Sequence, residues 1–211
     1  MVFSLMKRNL DAVKKEKEGA IFGAALRVIK QRGFHKARMS DIAREAGISY
    51  GLVYHYFANK EDLFDAIANR WWEGLFGLMT ELHESDDHVH QKLGRVTSYF
   101  LDTYHRSPEL MNIFITEISR SSTNLTSERL EDFKRFMAET ERIITEGQEK
   151  GVFRTDFKAR YLTYIFLGSL EAFVSTMVLA DQKIKGDPQK RRIAESILEV
   201  FVNGARNQQR S

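Results

Sequence analysis

Residues 40–64 read SDIAREAGISYGLVYHYFANKEDLF, two short helical segments joined by a single glycine, and this stretch decides the fold. Ile42 and Ala46 fall on one helix face at i, i+4 spacing. Gly47 stands where a helix C-terminus calls for a left-handed residue, which glycine adopts without steric cost. Ile48 plugs the turn, and Ser49 is an N-cap for the next helix. In that helix Val53 and Phe57 share an inward face, which leaves Tyr50, Gly51, Leu52, Tyr54, His55 and Tyr56 around the rest. A helix–turn–helix of this form lays its second helix in a DNA major groove, with its first turn at the base edges. Gly51 lets the backbone come close, and the helix N-terminus favours a phosphate.

On these residues the chain resembles the TetR family of transcriptional regulators. The family pattern is a G-[FY] turn followed by I-A-x-x-A-G-[VI]-S-x-G-x-[LV]-Y-x-[YH]-F-x-x-K-x-x-L. It is filled here by Gly33, Phe34, Ile42, Ala43, Ala46, Gly47, Ile48, Ser49, Gly51, Val53, Tyr54, Tyr56, Phe57, Lys60 and Leu63. The resemblance runs from the first helix into the start of the fourth; the remainder matches in length and helical character only. It implies a homodimer on a palindromic DNA operator, released by a small effector, with no cofactor. Carried over by position, it sets Tyr50, Gly51, Leu52, Tyr54 and His55 at bases or nearby backbone, and Arg44, Ser49, Tyr56 and Lys60 at phosphates. Two departures stand out. Ala37, Arg38 and Met39 replace the usual hydroxyl ahead of the first motif helix, so Ser40 is the nearest substitute cap and Arg38 offers phosphate a charged contact. Tyr50 and Leu52 replace a lysine and a small hydroxyl residue, and Leu52 suits a thymine methyl.

Charge supports a nucleic-acid partner. Residues 1–60 hold 12 Lys/Arg and 5 Asp/Glu, and residues 61–211 hold 20 and 24, so a basic head (+7) precedes a mildly acidic body (−4). Lys60 opens the fourth helix, where the dipole favours anions; a phosphate contact accounts for it. Lys7, Arg8, Lys14, Lys15 and Lys17 precede a first helix expected over about Lys15–Arg32, as a backbone-following arm or a solvated tail. Cysteine is absent, which excludes disulfides and thiol chemistry and fits a reducing cytoplasm. The N-terminus has the wrong order for a signal peptide, and no run has the length expected of a membrane span, so a soluble cytoplasmic protein is expected.

The expected fold is all-α, about nine helices, with a helix–turn–helix head and arm over 1–60 and a ligand-binding and dimerisation domain over 61–211. Helix one buries Ile21, Ala25, Val28 and Ile29 and ends at Gly33. Helix four carries Leu63, Phe64, Ile67, Trp71, Trp72, Leu75, Phe76, Met79 and Leu82 over more than half its circumference, as a link between head and effector core would. Ser107-Pro108, Thr126, Thr155-Asp156 and Asp187-Pro188 open later helices. Ile193, Ile197, Leu198 and Phe201 form a seam, and Gly168 and Ala172 admit a close neighbour; packing within one chain and a dimer interface both fit.

Trp72, Phe76, Phe100, Phe114 and Phe136 are candidate pocket residues, beside Ile115, with Tyr104, Tyr164 and Glu171 as polar anchors; helical aromatic stripes also serve simply as core. The effector class this suggests is a fatty acyl compound, a drug or an aromatic metabolite. His83, Asp86, Asp87, His88 and His90 fall in a short polar loop rather than on one helix face, and read as a solvated connector rather than a metal site. Asn124-Leu125-Thr126 spells a glycosylation sequon that a cytoplasmic chain does not use. With no nucleophile elbow, phosphate loop or carboxylate–histidine motif, an enzyme is not expected. A sequence-tolerant DNA-binding protein without a ligand, and a helical lipid carrier, are the competing functions.

Overall fold

The computed structural model describes residues 2–112 and 127–206, with side chains over 14–112 and 129–206. Phe114, Ile115 and the stretch 124–126 lie outside the described residues. The elements are α1 (Val2–Arg32), α2 (Met39–Ala46), α3 (Tyr50–Tyr56), α4 (Lys60–Glu84) and α5 (Val89–Arg106). A sixth helix, α6, opens at 108 and is described over 108–112. Then come α7 (Ser127–Glu149), α8 (Ala159–Leu179) and α9 (Asp187–Ala205). Among the described residues the only extended pairing is an isolated antiparallel bridge between Phe153 and Arg206, so the all-α expectation holds. The chain divides into two compact units, Met1–Trp71 and Trp72–Ser211, with the division inside α4.

In the first unit the expected stripe of α1 is buried, together with Ile42 and Ala43 of α2, Val53 and Phe57, and Leu63, Phe64 and Ile67. Gly33 stops α1 at φ 78°, its N–H donating to the Ile29 carbonyl at 2.7 Å. The helix begins at Val2, well ahead of the expected start near Lys15. No glycine or proline interrupts residues 2–18, and straight-chain charged residues there are good helix formers. α2 also starts earlier than its cap signal suggested. Its N-cap is Arg38, with φ −117° and ψ 149° and no side-chain capping bond, so Ser40 sits inside the first turn.

The second unit is built on buried apolar side chains from several of its helices. Leu101, Tyr104, Met111, Leu170, Val174, Met177, Ile184, Ala194 and Ile197 form a cluster, with Phe100, Val178 and Ile193 packed against it. Phe153 is fully buried and packs on Phe201, which also meets Phe166 at 5.2 Å between ring centroids. Gly147 makes that possible, because a Cβ there would collide with the Phe153 ring. α8 opens at Ala159, not at Thr155-Asp156. Arg154 grips Asp156 at 2.5 and 2.7 Å, and the Gln148 amide donates to the carbonyls of Arg154 and Phe157, which holds these residues as a loop.

α8 also corrects the expectation about membrane spans: its 21 residues are long and apolar enough to cross one by length and composition. Its inner stripe of Leu162, Phe166, Leu170, Val174 and Met177 packs inside the unit, as in a core helix. Its outer face is also apolar. Ile165 is 59% exposed and Tyr164 52%, with Tyr161, Phe173 and Leu179 beside them.

Candidate functional site

The reading helix is held from both ends. Gly47 adopts φ 66° and ψ 27°, and the N–H groups of Gly47 and Ile48 donate to the Arg44 and Ala43 carbonyls, closing α2. Ser49 accepts the Leu52 N–H at 3.3 Å and caps α3. Val53 is fully buried and Phe57 nearly so, which fixes the rotation of α3 about its axis. Tyr50 (54%), Gly51, Tyr54 (41%) and His55 are left exposed, with Leu52 and Tyr56 half-buried. Tyr50 and Tyr54 form one unit, with ring centroids 4.6 Å apart and the Tyr50 hydroxyl donating to that of Tyr54 at 3.0 Å. The pairing with Tyr50 holds the Tyr54 hydroxyl above its ordinary pKa.

Charged neighbours are tied into the head. Asp41 is buried and accepts from Arg32 at 2.9 Å and from Arg44 at 2.6 Å, while Arg44 keeps most of its side chain in solvent. Arg27 pairs with Glu45 at 2.6 Å. Lys60 donates to the Phe34 carbonyl at 2.9 Å and lies 4.5 Å from the centre of the Phe34 ring. Its place at the start of α4 is thus explained within the chain. The dipole objection is met by Glu61 and Asp62 in the same turn. Asn59 accepts the Asp62 N–H at 2.7 Å and Asp62 accepts the Ala58 N–H at 2.9 Å, a reciprocal cap. The sequence reading missed a basic groove of about 770 Å³ lined by Gln31, Arg32, His35, Lys36 and Arg38. The cue was present in the His35-Lys36-Ala37-Arg38 run after the Gly33 turn.

In the second unit four of the expected pocket residues come together. Trp72 stacks on Phe76 at 5.6 Å and 17°, Phe136 lies 6.1 Å from Trp72, and Phe100 lies 5.6 Å from Phe136. Tyr104 belongs instead to the neighbouring buried cluster, where its hydroxyl donates to the Gln182 carbonyl. Tyr164 and Glu171 do not reach this interior. The inner stripe of α8 turns both outward, and Glu171 accepts from Ser175 at 2.7 Å on the exposed face. The dimer seam needs the complementary correction. Ile197, Leu198 and Phe201 are buried in their own chain and Ile193 packs on its core, whereas Gly168 and Ala172 lie on the exposed face of α8.

A cleft of about 320 Å³ lies between α4 and α7, lined by Phe76, Met79, Thr80, His83, Glu84, Arg135, Glu139 and Arg142. His83 Nε2 is 2.8 Å from Glu139, and Arg142 donates to the same carboxylate at 2.9 Å. Burial, then Arg142, lower the His83 pKa, and the pull of Glu139 does not offset them. A histidine depressed in the folded state favours folding above its unfolded pKa near 6.5, and that contribution is lost as pH falls through its folded value. His83→Gln is therefore expected to make unfolding less acid-sensitive as pH falls below about 6.5, read by thermal melts across pH. His88 begins α5, its N–H donating to Gln91 at 3.0 Å. Among the described residues no cluster of His, Asp and Glu is placed to hold a metal.

A capped helix–turn–helix with an exposed polar reading face, on an all-α chain, defines a DNA-binding regulator. The chain belongs to the TetR family: residues 21–67 match the model for bacterial regulatory proteins of the tetR family, and 75–204 match the YsiA-like C-terminal region. It is 27% identical over 194 residues to the fatty acid metabolism regulator protein of Bacillus subtilis, covering 92% of this chain and 98% of that one. FadR of the same organism, solved with stearoyl-CoA, superposes with a TM-score of 0.71 at 26% identity, over 88% of this chain and 97% of that one. FadR of Bacillus halodurans, a fatty acid degradation regulator, gives 0.75 at 25% identity, over 91% and 97%.

Proposed function

We propose that this chain is a cytoplasmic, non-catalytic repressor that binds a palindromic operator as a homodimer and leaves it on binding a long-chain acyl compound. The observation that carries the DNA half is the Ser49-capped α3, whose Val53–Phe57 face is buried while Tyr50, Tyr54 and His55 stand in solvent. In this reading Tyr50, Gly51, Leu52, Tyr54 and His55 meet bases or nearby backbone. Arg38, Ser40, Arg44, Ser49, Tyr56 and Lys60 serve phosphates, and the Gln31–Arg38 groove extends that track. Lys60 has donor capacity beyond its bond to Phe34, since an ammonium carries three.

The effector class is supported by the aromatic cluster of Trp72, Phe76, Phe100 and Phe136 and by the stearoyl-CoA of the Bacillus subtilis neighbour. The two units share α4, so an effector that prefers one tilt of that helix shifts the spacing of the heads. Electrophoretic mobility shift with operator DNA selected by the protein tests this. Micromolar long-chain acyl-CoA releases the DNA on this account; unchanged binding at saturating acyl-CoA contradicts it.

The dimer surface fits the outer face of α8, through Tyr164, Ile165, Gly168, Ala172 and Phe173, with the exposed Val200 of α9. An apolar face of this kind is what a two-fold helical interface covers. Ile165→Glu is expected to convert the dimer to a folded monomer and to remove high-affinity operator binding. Light scattering and circular dichroism check this, and a dimer that survives the change places the interface elsewhere.

A further inference from the structure

We propose that the cleft between α4 and α7 seats the anionic head of the acyl effector, with Arg135 and Arg142 as its ligands and Arg135 as the gate to the aromatic cluster. This rests on the acyl reading of the effector and adds where its head is held. Arg135 and Arg142 are seven residues apart, two turns of α7, so they share a face and stand about 10 Å apart along the axis. Both line the cleft, opposite Phe76, Met79, Thr80 and His83 of α4.

The Arg135 guanidinium lies 3.9 Å from the centre of the Phe76 ring. Phe76 stacks on Trp72, and Trp72 adjoins Phe136, so the ring that Arg135 covers is the one through which the cleft meets the aromatic cluster. A cation resting on a ring is held less firmly than one making charge-assisted bonds to an anion, so an incoming carboxylate or phosphate draws Arg135 aside. The acidic residues of the cleft do not make it a cation site. Glu139 is already engaged by Arg142, and Glu84 lies exposed. At about 320 Å³ the cleft matches the lower end of small-molecule pockets, enough for a head but not a whole amphiphile. The tail must therefore part Trp72, Phe76, Phe100 and Phe136, which makes Trp72 a reporter of entry.

The test uses the full chain and three probes: oleoyl-CoA below its micellar concentration, sodium oleate, and CoA alone. Binding is followed by calorimetry and tryptophan fluorescence at two salt concentrations. Expected for the unaltered protein is tight binding of an acyl probe with a change in tryptophan emission, and weak binding of CoA. Arg135→Ala and Arg142→Ala each lower acyl-probe affinity roughly tenfold and flatten its salt dependence. Melting temperature and ligand-free DNA affinity stay as they were, and Arg135→Lys recovers part of the loss. A loss confined to oleoyl-CoA makes phosphate the recognised anion, and a loss with oleate makes it the carboxylate; either supports the site. Tight acyl binding with the same affinity and salt dependence in both alanine variants overturns the site and leaves the acyl reading standing. An unaltered protein that binds none of the probes overturns both.

Discussion

Replacing Tyr54 and His55 together with alanine is expected to weaken operator binding by about 2–4 kcal/mol, from lost base and backbone contacts. That is roughly 30- to 700-fold in Kd. The expectation follows from how α3 is seated. Val53 and Phe57 are the residues it buries, so the helix keeps its fold and its Ser49 cap when the outer side chains are cut back. Tyr54 also fixes Tyr50 through ring packing and the hydroxyl pair, so its loss frees Tyr50 and removes a preorganised two-ring surface. Thermal stability should hardly change, because both side chains are exposed. Fluorescence anisotropy with the selected operator measures the effect. Full affinity and unaltered sequence preference in the double variant would mean that another surface reads the DNA.

The largest stability effect is expected at a pair within the second unit. Lys92 is 2% exposed and donates to both oxygens of Glu146, at 2.9 and 3.1 Å, joining α5 to α7. Burial pushes the Glu146 carboxyl up, but hydrogen bonds from Lys150 and Lys92 outweigh it and hold the group below the usual carboxylate range. Glu146→Ala strands the Lys92 ammonium in the interior, at a cost of about 3 kcal/mol. For a chain of this size that lowers Tm by roughly 6–12 °C. Joint replacement, Lys92→Met with Glu146→Leu, removes both charges and should recover most of the loss. Differential scanning calorimetry of the three proteins decides it; a Glu146→Ala protein that melts like the original shows the pair to be dispensable.

What the sequence disclosed well was local. The Gly47 turn, the Ser49 cap and the Val53–Phe57 face each depend on neighbours within a few positions, and each is found as read. α8 was harder because it is apolar all round. Leu162, Phe166 and Leu170 look inward and Tyr161, Tyr164 and Ile165 outward, and periodicity alone does not say which stripe belongs to the chain's own core. The same ambiguity turned the buried stripe of α9 into an expected dimer seam and placed Tyr164 and Glu171 inside a pocket. Lys60 illustrates a different limit. Its partner, the Phe34 carbonyl, is 26 residues away, and Lys92 meets Glu146 across 54, distances at which no local pattern reports. The Arg135 contact with Phe76 is hidden for the same reason.

Selection of bound sequences from random double-stranded DNA tests the central claim most directly, that a dimer of this chain reads DNA through α3. The account predicts enrichment of a two-fold-symmetric site by the unaltered protein, and its loss in the Tyr54→Ala, His55→Ala double variant. Recovery of no symmetric consensus, or of the same consensus by both proteins, would contradict it.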